Sequence, residues 1–590
     1  MNFITSTNRF YLLIFCCLLL LTSSLGLFTI FIWSNEYGDF LQQLIHTFNL
    51  LDKASSIEEQ YLTQNRFRLL RYTAILSFFM LSGFTLLFYQ KRVKVQQWQA
   101  AISKEVNHWL TDQYANWKGF PTTERSWFLG FFLGLTILKI TLAFLYPIHI
   151  DEAFSYVFLV SKGPLVTATF YPGPNNHVAY LLICSLLHQL GFNPEVVMRV
   201  PSLAFSILTI PLAYLLLRRH VKFSVALLCL ALFSFNEFSL FYATHGRGYA
   251  MQLFFMVSSL WAGLQFSQTK NHSSQLIFTL TCILGFYTIP SFLYFFCSLL
   301  LAYFLQFRAG SFRVKPLTTL LLIVTGVGIL YLPIVLLSGI ERIISNTWVQ
   351  PMTIQAFLAA FPTYIWRMQG NLMGWETAGA SLSLLVWCLS FSFIFAPSFI
   401  QSHGKSVFSQ RLTIFQVKGL GILILSISLF PLLLLPIQRV LPFDRVWYYK
   451  SLVEFFVLAI GSSYLLAKIR KKLRRTLLIS VALCYISIHL FAPYSYISDK
   501  KSIYRQFPIL IHNVLNSTAK HIFVNEDVYN VFLRYEGLKQ GKTYAIEVEN
   551  PKGSYDVLIL RKGFPFPSTL DSDAYIPFYQ DDFVSAWQKR

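Results

Sequence analysis

The chain places two adjacent carboxylates, Asp151 and Glu152, in the stretch YPIHIDEAFSYVFLVSKG, which follows an apolar run. Acids in that position can take a proton from a hydroxyl, hold a cation, or cap the helix that begins there. Tyr156 lies a turn further on, and PGPNNHVAY then supplies Asn175, Asn176 and His177, three hydrogen-bonding side chains of which one titrates near neutrality. The segment THGRGYAM adds His245, Arg247 and Tyr249 around Gly248, and LPFDRVWYYK adds Arg445 beside Asp444. An arginine so placed grips a phosphate through two parallel N–H donors or anchors a helix end at an interface; the residues alone leave both open. His177 is a candidate ligand for a divalent cation, with His245 behind it, although a lone histidine equally serves as a polar helix start; no other cofactor is implied. Arg199, opening a later apolar run, reads as an interfacial anchor.

The composition says what scaffold holds these residues. A chain of 590 residues that is 55% hydrophobic and 13% charged, with a mean hydropathy of +0.52, is a polytopic membrane protein. Apolar segments long enough or nearly long enough to span, at roughly 20 residues each, run over 11–32, 69–88, 126–145, 200–217, 223–241, 249–266, 276–287, 291–305, 317–337, 378–400, 420–435, 451–466 and 476–491. The first is too long for a signal-peptide core and lacks a small-residue cleavage site, so it reads as a span. The spans are read as carrying no charge near their centres, which argues against an ion or lipid-headgroup path through the membrane. The eight cysteines all fall within apolar segments and read as small buried hydrophobes.

Lysine and arginine gather in alternate connections, KRVK from Lys91, RRHVK from Arg218, FRAGSFRVK from Phe307 and KIRKKLRR from Lys468, which places those ends in the cytoplasm. The net charge of +21 is thereby a topology signal, and nucleic acid is not an expected partner. The segments 146–197, 242–248, 338–377 and 436–450 then face outward, with the acid pair among them. From about residue 494 charges return, and KHIFVN, KTYAIEVE and YDVLILRKG read as short strands, with the acid-rich DSDAYIPFYQDDF as a solvated face. The expected fold class is thus an all-α polytopic membrane protein with a small C-terminal α/β domain. Its expected parts are two N-terminal spans with an outer loop (1–92), a cytoplasmic connector (93–125), a core (126–493) with outer loop 146–197, and an outer domain (494–590). The expected setting is a plasma (inner) membrane, with a cytoplasmic amino terminus and lipids as neighbours.

HIDEAFSY, PNNHVAYLLICSLLHQLG, MRVPSLAFSILTIPLAYLLLRR and HGRGYAMQ together resemble the GT-C superfamily of integral-membrane glycosyltransferases, and within it the branch of protein O-mannosyltransferases and the lipid A aminoarabinose transferase. The motifs cover about Ser126 to Phe266; the remaining spans match by topology only. The resemblance implies transfer of a sugar from a polyprenyl-phosphate donor to an acceptor hydroxyl of unspecified kind, on the outer face and with inversion. It implies Asp151 as general base and Glu152 as its helper, Arg247, Tyr249 and Arg445 on the donor phosphate, and Tyr156, Asn175, Asn176, His177 and His245 around the substrates. A glycosyl phosphate is already activated, so the chemistry needs only an acceptor deprotonated and a departing phosphate neutralised. The alternatives are a flippase or transporter for a lipid-linked sugar, and a non-catalytic envelope-assembly protein.

Overall fold

The structure, a computed structural model, describes residues 2–48, 61–269, 271–306, 314–344, 349–374, 376–403, 407–409, 413–466, 469–498, 509–514, 519–542, 544–548, 551 and 553–590. Part of the N-terminal outer loop and the basic stretch from Phe307 lie outside them. All thirteen apolar segments are helical, as a bilayer demands of a backbone that must satisfy its own hydrogen bonds. Three are broken: at Asn236, whose side chain caps a new helix, at Pro397, and ahead of Pro431. Among the described residues eight helices are long and apolar enough to cross a membrane, or nine if Phe223–Phe235 and Glu237–Thr244, bent by 65°, form one broken span. Length and composition therefore support eight or nine crossings where the sequence reading had about thirteen.

Two connections hold more structure than their sequences suggested. The 93–125 connector is a helix, Arg92–Gly119, laid against the bundle through Trp109 on Trp261, ring centroids 5.6 Å apart, and Glu105 Oε2 accepting from the Ser273 amide at 2.7 Å. The 338–377 connection contains the helix Ile354–Met373, capped by Thr353 and packed on Glu376–Phe395. Pro351 and Pro362 mask its periodicity.

The expectation of charge-free centres is corrected. Lys139, 2% exposed within the Thr122–Leu145 helix, donates to the Ser206 carbonyl at 3.4 Å. Lys450 and Glu454 are both fully buried, 3.9 Å apart, with Gln369 joining them by accepting from Lys450 at 3.3 Å and donating to Glu454 at 3.0 Å. An amide with one donor end and one acceptor end satisfies both groups away from water. The cysteines also divide: Cys184, Cys229 and Cys282 are buried, but Cys16, Cys17, Cys388 and Cys484 are on the surface of the bundle.

The C-terminal domain is a five-stranded sheet, β1 His521–Val524, β2 Ala545–Val548, β3 Val557–Arg561, β4 Tyr575–Gln580 and β5 Val584–Lys589, in the order β2-β1-β3-β5-β4. The first three are the strands read from the sequence. The acid-rich segment read as a solvated face contains β4, an edge strand with Pro577 and a register shift, the kind of irregularity that hides a strand from pattern analysis. The helix Asp527–Lys539 packs on the helix Ile150–Phe158, with Tyr535 and Tyr156 edge to face at 5.6 Å and Lys539 paired to Glu195 at 3.1 Å.

Candidate active site

The Thr122–Leu145 helix ends at Tyr146, and a turn through Pro147 leads into the helix Ile150–Phe158, whose cap is His149. The imidazole Nδ1 accepts from the Asp151 amide at 3.2 Å while the Glu152 carboxylate accepts from the His149 amide at 2.9 Å, a reciprocal cap. Successive helical residues diverge by about 100°, so the two acids point apart. Glu152 turns inward and is fully buried; Asp151 keeps a side-chain exposure of 25%.

Glu152 is held on every side. Arg199, from the helix Pro194–His220, meets it with Nε on Oε1 at 3.1 Å and Nη2 on Oε2 at 3.2 Å, and the Gly246 amide donates to Oε1 at 2.5 Å. The same guanidinium donates to the carbonyls of Ala143 (2.7 Å), Tyr146 (2.9 Å) and Pro147 (3.0 Å), the orphan acceptors of a helix end. Burial pushes the Glu152 carboxyl up, but the charges of Arg199 and His245 and the donated hydrogen bonds outweigh it and bring it down to about 2. One carboxylate thus ties together the end of a span, the start of another, and the 245–248 turn.

That turn allows little variation. A Cβ on Gly246 would lie 2.8 Å from the Met198 carbonyl oxygen, and one on Gly248 would lie 3.0 Å from His177 Cβ. Between the two glycines the Arg247 side chain reaches Asp151. Its Nη1 lies 3.4 Å from Asp151 Oδ2 and its Nη2 donates to Asn175 Oδ1 at 3.1 Å, while Asn175 Nδ2 donates to Asp151 Oδ1 at 3.2 Å. The residue is 4% exposed, yet Nε and Nη1 make no hydrogen bond among the described residues. Burial raises the Asp151 carboxyl, and Arg247, then His149 and Arg445, more than reverse it, leaving it below the usual aspartate range.

Tyr249 completes this wall, 5.0 Å from the His177 ring and 4.8 Å from Tyr242. Arg445 belongs to a short turn, Asp444–Trp447, secured by Trp447 Nε1 donating to Tyr364 at 2.5 Å and Asn371 donating to Asp444 at 2.7 Å. Asp444 is thereby engaged away from Arg445, its ion-pair partner being Arg367 at 4.0 Å. Burial alone would lower Arg445, but Tyr249, Tyr242 and Asp151 raise it, which places its charge near the Asp151–Arg247 pair.

The structure brings Asp151, Asn175, His177, Arg247, Tyr249 and Arg445 together and sends other candidates elsewhere. Tyr156 faces the C-terminal domain and bonds His188 at 3.1 Å. Asn176 holds its own loop by donating to the carbonyls of Thr167 and Phe170. His245 is buried beside Glu152, stacked 3.6 Å on Phe241. His177 Nδ1 accepts from the Gly248 amide at 2.9 Å, and its Nε2 looks onto Arg247 at 3.5 Å, a cation where a metal would sit. Among the described residues no cluster of three or more His, Cys, Asp or Glu is arranged to hold a metal. The sequence reading missed the ties of His149 and Arg199; a histidine directly before an acid pair was the available signal for the first.

No family model matches the chain, and no curated protein does either. Among solved structures it is similar to ArnT from Cupriavidus metallidurans bound to undecaprenyl phosphate, at 10% identity and a TM-score of 0.48, covering 78% of this chain and 97% of that one. The same protein in the apo state aligns at 10% identity with a TM-score of 0.47, covering 78% and 98%. The archaeal oligosaccharyltransferase AglB from Archaeoglobus fulgidus, in complex with an inhibitory peptide and a dolichol-phosphate, aligns at 12% identity and 0.38, covering 70% and 64%. At such distances a likeness carries no chemistry, which rests on the geometry above.

Proposed function

We propose that the chain is a membrane glycosyltransferase that moves a sugar from a polyprenyl-phosphate donor to an acceptor hydroxyl, with inversion at the anomeric carbon. The observation that carries this reading is the Asp151–Arg247 pair: a partly exposed carboxylate opposed by a buried guanidinium whose Nε and Nη1 make no hydrogen bond among the described residues. A phosphate oxygen is the natural acceptor for such nitrogens, and Arg445 supplies a second positive charge.

The geometry also supplies a coupling. Arg247 holds Asp151 ionised but weakly basic. Once a donor phosphate takes the guanidinium, that suppression is relieved and the carboxylate becomes a better base. The acceptor oxygen attacks the anomeric carbon as its proton passes to Asp151, the bond to the phosphate oxygen breaks, and the leaving phosphate remains on Arg247 and Arg445. Glu152 stays in its ion pair as a positioning residue. The test is transfer from labelled polyprenyl-phosphate sugars to candidate hydroxyl acceptors by purified protein, wild type against Asp151→Asn. Full activity in the variant would end the assignment of the base.

A further inference from the structure

At the end of the bundle away from Asp151, between the Arg92–Gly119 helix and the helices Pro194–His220, Tyr249–Thr269 and His272–Thr288, lies a cavity of about 300 Å³. Its wall is mainly apolar, with Trp109, Leu208, Leu212, Phe254, Trp261 and Ile277, while Gln265 and Ser273 stand near the turn that closes it. Leu208 is 51% exposed within a helix apolar enough to span, so one wall of the cavity carries exposed apolar surface. Trp261 is 4% exposed, yet its Nε1–H has no acceptor among the described residues. Buried donors are nearly always satisfied, so an orphan one on a cavity wall marks the place of a missing acceptor. The Arg219 guanidinium lies over the same indole, 4.8 Å from the ring centroid. Its neighbour Arg218 is already paired with Glu124 at 2.6 Å, the nearby Glu105 carboxylate is taken by the Ser273 amide, and Asp112, the acid whose charge acts on Arg219, lies 3.6 Å from His108.

We propose that this cavity binds one anionic phospholipid of the adjacent leaflet, with an acyl chain in the apolar part, an ester oxygen on Trp261 Nε1–H and the headgroup phosphate on Arg219. An apolar void of about 150 Å³ suffices for a small hydrocarbon, so this one accommodates a length of acyl chain. A bilayer offers such an amphiphile at high local concentration. The occupant is independent of the transferase reading, since none of these residues touches the Asp151 site.

The test uses the full chain in detergent with equal amounts of phosphatidylglycerol and phosphatidylcholine, read by native mass spectrometry. A second reading comes from cross-linking with phosphatidylglycerol that carries a diazirine in its tail. We expect one retained phosphatidylglycerol, favoured about fivefold, the worth of one basic side chain at an anionic headgroup. The preference disappears in Arg219→Gln, retention falls in Trp261→Phe, and cross-links map to 104–112 and 249–281. Equal retention of the two lipids, or cross-links confined to other helices, overturns the proposal. The cross-link map needs no variant and decides even if a substituted chain folds poorly.

Discussion

Arg247 Nη1 lies 3.4 Å from Asp151 Oδ2 in a residue only 4% exposed, and neither that nitrogen nor Nε has a hydrogen-bond acceptor among the described residues. A cation buried this deeply with donors unused is costly unless something fills the site. On the proposed function the pair has two states, arginine on aspartate and arginine on the donor phosphate. On the proposed function, Asp151→Asn keeps the bond from Asn175 within reach and loses the base. Transfer, measured with saturating donor, is expected to fall by about 10²–10⁴.

The coupling of Arg247 to Asp151 predicts a split pH profile. Asp151 in the free protein is held below its ordinary value of 3.8, so on the proposed function the acid limb of kcat/KM is expected below that pH. Bound phosphate would draw Arg247 away, and the acid limb of kcat is expected at higher pH than that of kcat/KM. Coincident limbs would remove the coupling.

Arg247→Lys keeps the charge and loses the planar fork. On the proposed function the donor KM rises by roughly ten- to a hundredfold, about 1.5–3 kcal/mol for a hydrogen bond to a charged group. Titration of the purified protein with undecaprenyl phosphate, followed by calorimetry, checks this without turnover.

The Glu152–Arg199 pair is a stability element. Removing either partner alone leaves a buried charge, which costs about 3–5 kcal/mol, so Glu152→Gln and Arg199→Met are each expected to lower the unfolding temperature strongly. The double variant is expected to be less destabilised than the sum of the two. Additive losses would mean that the two side chains do not act as a unit.

Acid is expected to unfold the outer end of the bundle in two stages. Burial, opposed by Glu152, brings His245 from 6.5 to about 4, so the folded state resists its protonation; that stability is present above pH 6.5 and is lost as pH falls towards 4. Glu152, with an ordinary value of 4.5 and a folded value of about 2, adds a second loss between those limits. Buried His149 and His177 are lowered as well, so His245→Phe flattens the upper slope without abolishing it. Thermal unfolding followed from pH 7 to pH 2 reads this out.

The amino-acid sequence by itself determined that this chain is a helical membrane protein with a small α/β end, because apolar runs of near-bilayer length leave the backbone one economical conformation. It also marked Asp151, Arg247 and Arg445 as polar residues stranded at the ends of such runs. Only the tertiary structure decided how the acid pair divides. Adjacency made Asp151 and Glu152 equivalent, and the helical turn between them, with Arg199 arriving from 47 positions away, buried one and left the other partly exposed against Arg247. The charges at depth escaped for the same reason: whether Lys139 or Glu454 sits tolerably inside a span depends on Ser206 or Gln369, partners supplied by other helices that no local pattern specifies.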